Sequence, residues 1–125
     1  MTAQRDKIRE DAQVRILRLL QDNPEMSQRD LAKAVGVSTG GVHYLLNALV
    51  EKGFIKLGNF TAAKDKRRYA YVLTPKGLAA KADLTKRFLM RKMAEYELLK
   101  AEIDEVRGDL SAAELAALKV AGKDR

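Results

Sequence analysis

The densest group of charged side chains in the sequence is a basic cluster near its middle. The cluster comprises Lys64, Asp65, Lys66, Arg67 and Arg68. Ammonium and guanidinium groups at this density suit contacts with phosphates, and an arginine on such a loop can enter a DNA minor groove. The cluster therefore predicts a nucleic-acid contact, and the alternative is a solvated basic loop that has no partner.

A second group of candidate residues is neutral and lies on one predicted helix, from about Thr39 to Lys52. Its apolar residues face inward and leave a polar face that could contact bases. An asparagine on such a face can pair with adenine through two hydrogen bonds. The predicted base-reading residues are Thr39, His43, Tyr44 and Asn47. The alternative for His43 and Tyr44 is that they cap the core or pack on a neighbouring hairpin.

Residues around the start of this helix and of the one before it could contact the DNA backbone. Gly40 and Gly41 carry no side chain, so amides at the helix N-terminus could approach a phosphate closely. The predicted backbone contacts are Ser27, Gln28, Arg29, Ser38, Gly40 and Gly41.

Helix-start signals divide the chain into the elements that must position these residues. Ser27, Ser38, Thr74 and Ser111 each follow an apolar residue and have another apolar residue four positions later, which is typical of a helix N-cap. The first predicted helix ends at Asn23-Pro24, and its inward stripe is Ile8, Ala12, Arg15/Ile16, Leu19 and Leu20. The second runs from about Gln28 to Val35, with Leu31, Ala34 and Val35 inward. The third begins at about Thr39, with Val42, Leu45, Leu46 and Leu49 inward.

The turn between the second and third helices is short and begins with Gly36, as in a helix-turn-helix unit. Two predicted strands follow, Phe54–Gly58 and Arg68–Leu73, and the basic cluster lies between them. Three helices followed by a hairpin with a long basic loop are the order of a winged helix.

A long helix is predicted from Pro75 to Arg107, with a dimerising stripe of apolar residues. The heptad positions predicted at the dimer seam are Leu89, Tyr96, Leu99, Ile103 and Val106. Glu95 and Glu102 flank one side of the seam, and Lys100 and Arg107 flank the other, so a parallel pair would place opposite charges together. The alternative is an amphipathic helix that folds back on its own domain. Gly108 ends the helix, and a short helix is expected from Ser111 to Val120.

Composition and charge narrow the class of protein. The chain has 24 basic and 17 acidic residues and a net charge of +7. Residues 1–77 carry 14 basic and 8 acidic side chains, against 10 and 9 in residues 78–125, so the excess lies in the first part. Cysteine is absent and His43 is the only histidine, which disfavours a metal site, a cofactor and catalysis. The polar N-terminus and short apolar runs predict a cytoplasmic protein without a membrane span.

Several motifs resemble the DNA-binding domain of the MarR family of bacterial transcription regulators. They are Ser27-Gln28-Arg29-Asp30-Leu31-Ala32 in the second helix, Glu51-Lys52-Gly53-Phe54-Ile55 after the third, and Asp65-x-Arg67 followed by Leu73-Thr74-Pro75-Lys76-Gly77. The match covers roughly Asp11 to Gly77, and the run to about Arg107 is similar to the small exopolysaccharide-associated MarR subgroup. The resemblance implies that Arg67 enters the minor groove and that Asp65 orients it. The chain has little before Asp11, whereas typical members have a longer N-terminal helix in the dimer interface, so we expect dimerisation to depend on the C-terminal part.

The sequence thus predicts a mainly α protein with a small β-hairpin wing. Residues 1–77 are the expected winged helix-turn-helix domain, 78–110 the dimerising helix, and 111–125 a short helix and frayed tail. The expected function is that of a dimeric regulator that reads a pseudo-palindromic site on double-stranded DNA, with exopolysaccharide genes as targets and with no effector identified. The alternative is a winged-helix adaptor that binds another protein through its coiled coil.

Overall fold

The computed structural model describes residues 2–59 and 69–123. Three helices, a two-stranded antiparallel sheet and two further helices follow one another, which confirms the predicted winged helix-turn-helix fold followed by a long helix. The elements are α1 (Thr2–Asp22), α2 (Gln28–Val35), α3 (Thr39–Glu51), β1 (Ile55–Asn59), β2 (Tyr69–Leu73), α4 (Pro75–Arg107) and α5 (Ala112–Lys123). The basic cluster at Lys64–Arg68 lies outside the described residues.

Side-chain caps set the starts of α2 and α3, as the sequence predicts. The Ser27 hydroxyl accepts a hydrogen bond from the Asp30 amide at 3.1 Å, and the Ser38 hydroxyl accepts from the Gly41 amide at 3.0 Å. Each cap satisfies one of the amides that the first helical turn leaves without a backbone acceptor. Gly36 ends α2 with φ of 79°, a left-handed conformation that glycine adopts without a steric penalty.

The core lies where α1, α2 and α3 meet β1. The inward face predicted for α3 is confirmed, because Val42, Leu45, Leu46 and Leu49 are all buried. Two other inward assignments are wrong. Ile8 is 59% exposed, and Ala34 is exposed while Ala32 beside it is buried. The inward face of α1 begins further along the helix than Ile8. It includes the fully buried Val14 and Leu17.

The hairpin is joined to the helices by backbone hydrogen bonds. β1 and β2 pair antiparallel, with Ile55 opposite Leu73 and Leu57 opposite Tyr71. The outer edge of β2 is engaged as well, since the Tyr71 amide donates to the Pro24 carbonyl at 3.1 Å. The turn between α1 and α2 therefore fixes the base of the wing.

One residue group, which we name the Thr74 junction, joins the start of the hairpin to the start of α4. It consists of Gly53, Phe54, Thr74 and Gly77. The Thr74 amide donates to the Phe54 carbonyl at 3.0 Å, and its hydroxyl donates to the Gly53 carbonyl while accepting from the Gly77 amide at 3.0 Å. Gly77 is buried against this backbone, and a Cβ atom there would overlap the Phe54 carbonyl oxygen and lie 2.7 Å from the carbonyl carbon.

The described chain divides into two compact units, residues 1–88 and residues 89–125. The first unit continues past the predicted boundary at Gly77, because Leu84 is buried in its core and Phe88 packs against that core. Arg87 at this end of the unit forms an ion pair with Glu10 at 2.9 Å, and the Arg15 guanidinium lies 5.3 Å from the Phe88 ring centroid. The first turns of α4 are thus part of the winged domain.

The second unit contains the rest of α4 and the whole of α5. Apolar side chains on α4 are exposed within the single chain, among them Leu89, Tyr96 and Leu99. At the start of α5 the predicted cap Ser111 is confirmed, and it forms a capping box with Glu114. The Ser111 amide donates to the Glu114 carboxylate and the Glu114 amide donates to the Ser111 hydroxyl, both at 3.2 Å. Within the described residues, no helix has the length and apolar character that a membrane span needs.

Replacing Gly77 with alanine should destabilise the winged domain by roughly 2 kcal/mol or more, because backbone must move to admit the methyl group. Gly40→Ala is the matched control, since nothing lies within 4 Å of a Cβ at that helical position and alanine favours helix by up to about 1 kcal/mol. Urea unfolding followed by circular dichroism measures both changes. Equal midpoints for Gly77→Ala and the wild-type chain would contradict the close packing at the Thr74 junction.

The capping box should make the start of α5 sensitive to acid. Hydrogen bonds from the Ser111 amide and with its hydroxyl lower the pKa of Glu114 below its ordinary value of 4.5. The ionised Glu114 carboxylate therefore contributes fully to helix stability at a pH above its ordinary pKa, and this contribution is lost as the pH falls through the lowered pKa. An NMR titration should show the Ser111 amide resonance moving with the Glu114 carboxylate. In Glu114→Gln, which keeps an acceptor but cannot ionise, that movement should vanish; if it persists, the assignment is wrong.

Candidate nucleic-acid interface

The N-terminal half of α3 presents a continuous polar face to solvent. All four residues predicted to read bases, Thr39, His43, Tyr44 and Asn47, are exposed, whereas the opposite face of the helix is buried. Tyr44 exposes 56% of its surface, so it does not cap the core. None of these four side chains is a lysine, an arginine or a carboxylate, and an exposed face of this kind is suited to a recognition helix.

The first turn of α3 has two kinds of donor for an anion. The Ser38 hydroxyl accepts from the Gly41 amide, which leaves its own hydrogen to donate. Because the Gly41 amide is thus engaged, the amides of Thr39 and Gly40 are the ones that remain open to a phosphate. Gly40 is exposed with open space around its Cα, which suits close approach of a ligand to the backbone.

A surface groove of about 410 Å³ brings α2 and the start of α3 together. Arg29, Lys33, Ser38 and Thr39 line it, together with the apolar residues Ala32 and Val37. It combines two cations with the positive end of a helix dipole, which is a favourable site for a phosphate. Arg29 and Ser38 were predicted here. Lys33 was missed, although its position four residues after Arg29 places both side chains on one face of α2.

His43 and Asn47 are linked one helical turn apart. The amide nitrogen of Asn47 lies 3.2 Å from Nε2 of His43, so Asn47 donates to that ring nitrogen in the tautomer that carries its proton on Nδ1. The Asn47 carbonyl oxygen is still able to accept. The two side chains therefore form one hydrogen-bonded pair on the exposed face of α3.

The remaining predicted residues are distributed as follows. Ser27 and Arg29 are exposed and Gln28 is half-buried at the start of α2. The predicted wing residues Lys64, Asp65, Lys66, Arg67 and Arg68 lie outside the described residues. The predicted seam residues Leu89, Tyr96, Leu99, Ile103 and Val106 all lie on α4 in the second unit. In the described ranges 2–59 and 69–123, no group of three or more acidic or histidine side chains is placed to hold a metal ion.

These features define a winged helix-turn-helix protein. Comparison with known families agrees, because residues 9–56 match the family described as winged helix-turn-helix DNA-binding. That segment runs from α1 to the start of β1 and includes both capped helices and the groove between them.

One similar protein from Thauera aromatica is named as a transcriptional regulatory protein for the hcr operon. It is 37% identical over 67 residues, which are 54% of this chain and 39% of that protein. The chain thus spans well under half the length of this relative. The similarity covers a regulator and not an enzyme, in line with the sequence-based expectation.

Among the solved structures with the same fold are regulators of the MarR family. The regulator BpsR from Bordetella bronchiseptica aligns with a TM-score of 0.58 and 21% identity, covering 90% of this chain and 71% of that one. The adhesin competence repressor AdcR from Streptococcus pyogenes aligns with a TM-score of 0.57 and 23% identity, covering 90% and 75%. The PcaV regulator from Streptomyces coelicolor aligns with a TM-score of 0.55 and 20% identity, covering 78% and 79%. At these identities the likeness establishes the fold.

The linked pair predicts coupled reading of DNA. Selecting preferred sites from a random DNA library should show that His43→Ala changes base preference at the position read by Asn47 as well as at its own. Affinity losses of His43→Ala and Asn47→Ala on the best site should then sum to more than the loss of the double variant. Val50→Ala, an exposed change at the other end of α3, is the control and should leave preference unchanged. Additive losses with separate base positions would contradict a coupled pair.

Proposed function

We propose that this chain is a homodimeric, sequence-specific DNA-binding transcription regulator. The observation that carries the proposal is the exposed neutral face of α3 beside a phosphate-suited groove lined by Arg29 and Lys33. The match of residues 9–56 to a DNA-binding family and the regulator folds of the structural neighbours support it.

In this mechanism the N-terminal half of α3 enters the major groove. Arg29, Lys33 and the open amides of Thr39 and Gly40 hold phosphates on one side of that groove and set the depth of the helix. Thr39, His43, Tyr44 and Asn47 then lie at base edges, where hydrogen bonds distinguish sequence. Affinity and specificity are thereby divided between charged neighbours and a neutral reading face.

The wing supplies further phosphate contacts in this proposal. Lys64, Lys66 and Arg68 meet the backbone, while Arg67, oriented by Asp65, enters the minor groove. The described part of the hairpin supports this placement, because β1 and β2 pair with each other and these residues lie between the two strands in the sequence.

Removing Arg67 should weaken binding to all DNA sequences, because a lost phosphate or minor-groove contact is nearly independent of base order. In gel shifts with genomic fragments competed by bulk DNA, Arg67→Ala should lower affinity and reduce the slope of log affinity against log salt by about 0.9. Lys7→Ala, an equal loss of charge on α1, is the control. Equal binding by Arg67→Ala and wild type would refute the wing assignment, and a wild-type chain for which no fragment outcompetes bulk DNA would refute the function.

Dimerisation is assigned to the exposed apolar face of α4. Leu99, Ile103 and Val106 are 55%, 44% and 53% exposed in the single chain. A second copy fits this face because Glu95 and Glu102 flank one side of the seam and Lys100 and Arg107 the other, which pairs opposite charges in a parallel dimer. Lys92 shares the heptad position of Leu99, seven residues earlier, and so places a charge in the seam. It forms an ion pair with Glu95 at 2.9 Å in its own helix, so part of this charge is compensated locally. MarR-type regulators are typically dimers.

Two neighbouring leucines provide a matched test of the seam. Leu99→Asp should weaken the dimer at least about a hundredfold, because one buried leucine is lost from each of two chains. Leu98→Asp changes the adjacent residue, which is 74% exposed and lies off the seam, and should leave the dimer intact. Sedimentation equilibrium measures both. Equal dissociation of the two variants, or a monomeric wild-type chain, would contradict the assignment.

The target genes follow only from resemblance. Similarity to the exopolysaccharide-associated subgroup supports control of exopolysaccharide genes in a bacterial cytoplasm. Binding of the purified chain to the intergenic region beside its own gene, compared with unrelated promoters, is the direct test of that target.

A further inference from the structure

The first turns of α1 do not contribute to the core. Residues 4–9 are all exposed, and this is why the predicted inward position of Ile8 is wrong. Helical backbone nevertheless begins at Thr2, so this segment extends α1 by more than two turns beyond its buried part. Burial in the core therefore does not explain why the chain carries this helical extension.

This extension lies beside the reading half of α3. The Arg9 guanidinium stands 5.4 Å from the centroid of the Tyr44 ring, within the range of a cation–π contact. Arg5, Ile8 and Arg9 line one wall of a surface groove of about 280 Å³, and Gly41, Tyr44 and Leu45 line the other. The two arginines are one helical turn apart and therefore share a face. That face borders the residues that the proposed function places in the major groove.

The charges of Arg5 and Arg9 have no carboxylate partner among the residues that the structure describes. Glu10, the acidic residue next to Arg9, is bonded to Arg87 on α4 instead. Two exposed cations, continuous with the reading surface, are thus available to an anion.

We propose that Arg5 and Arg9 bind DNA phosphates next to the bases that α3 reads, and that Arg9 also fixes the Tyr44 ring in its reading position. This inference depends on the proposed binding of DNA by α3. It extends the interface from α2, α3 and the wing to a fourth element, the N-terminal extension of α1. In this proposal, Arg5 and Arg9 on α1 supply positive charge next to α3, in addition to the cations of the helix-turn-helix unit.

The test measures affinity of the full-length chain for its best genomic fragment over a range of potassium chloride concentrations. The single variants Arg5→Gln and Arg9→Gln should each reduce the slope of log affinity against log salt by about 0.9, and the double variant should reduce it by about 1.8. Lys7→Gln is the matched control, because it removes one charge from the same extension on the opposite face. Arg9→Lys should keep the slope of the wild-type chain, since the charge remains. Thermal melts check that the exposed changes leave the fold intact.

The outcomes separate this inference from the proposed function. If the double variant keeps the wild-type slope while Arg67→Ala still loses its contact, α1 is outside the interface and DNA binding stands. An Arg9→Lys slope equal to that of Arg9→Gln, or a Lys7→Gln slope reduced as much as that of either single arginine variant, would also overturn the inference. If no fragment outcompetes bulk DNA, the proposed function fails and the inference fails with it.

Discussion

The close contact at the Thr74 junction is the constraint on which the rest of the winged domain depends. The chain leaves α3 at Gly53, forms the hairpin and returns to begin α4 against the same two carbonyl groups, those of Gly53 and Phe54. One threonine joins the three elements because its amide and hydroxyl both donate to that backbone while the hydroxyl caps α4. Gly77 then lets the helix approach to a distance that no side chain permits. The Leu-Thr-x-x-Gly pattern is therefore a packing requirement: it fixes the direction of α4 relative to α3 and to the base of the wing within the first unit.

The electrostatics of the proposed interface follow from what α3 lacks. A reading face without permanently charged side chains gives base discrimination through hydrogen bonds, but it gains little from the high charge density of DNA. The cations that could supply affinity lie on neighbouring elements: Arg29 and Lys33 on α2, Arg9 on α1, and the basic cluster in the sequence between β1 and β2. Because the cations and the proposed base-reading residues lie on different elements, substitutions on α3 could change base preference without loss of the sequence-independent affinity for DNA. In the proposed interface, specificity also depends on how firmly the neighbouring helices hold α3. The hydrogen bond between His43 and Asn47 and the contact of Arg9 with Tyr44 would then contribute to recognition.

Local signals in the sequence were sufficient for most of the element boundaries. The caps at Ser27, Ser38, Thr74 and Ser111 were predictable because a cap involves residues only three apart. Inward faces were harder, since burial depends on what lies opposite: Ala32 and not Ala34 meets the core, and Leu84 is buried because α4 packs back on the domain. The contacts that organise the candidate site join residues distant in sequence, such as Arg9 with Tyr44 and Glu10 with Arg87. The periodicity of apolar residues within one helix carries no information about such pairs, because their members lie on different elements. Lys33 could have been found, because it follows Arg29 by one helical turn.

The central claim is that two copies of this domain read DNA together through α3. Hydroxyl-radical footprinting of the wild-type chain on the intergenic fragment that it binds best tests this claim most directly. We expect two protected half-sites related by a two-fold axis, with centres one or two helical turns apart, about 10 or 21 base pairs. A single protected segment without a symmetric partner, or protection that is no stronger than on bulk DNA, would contradict it.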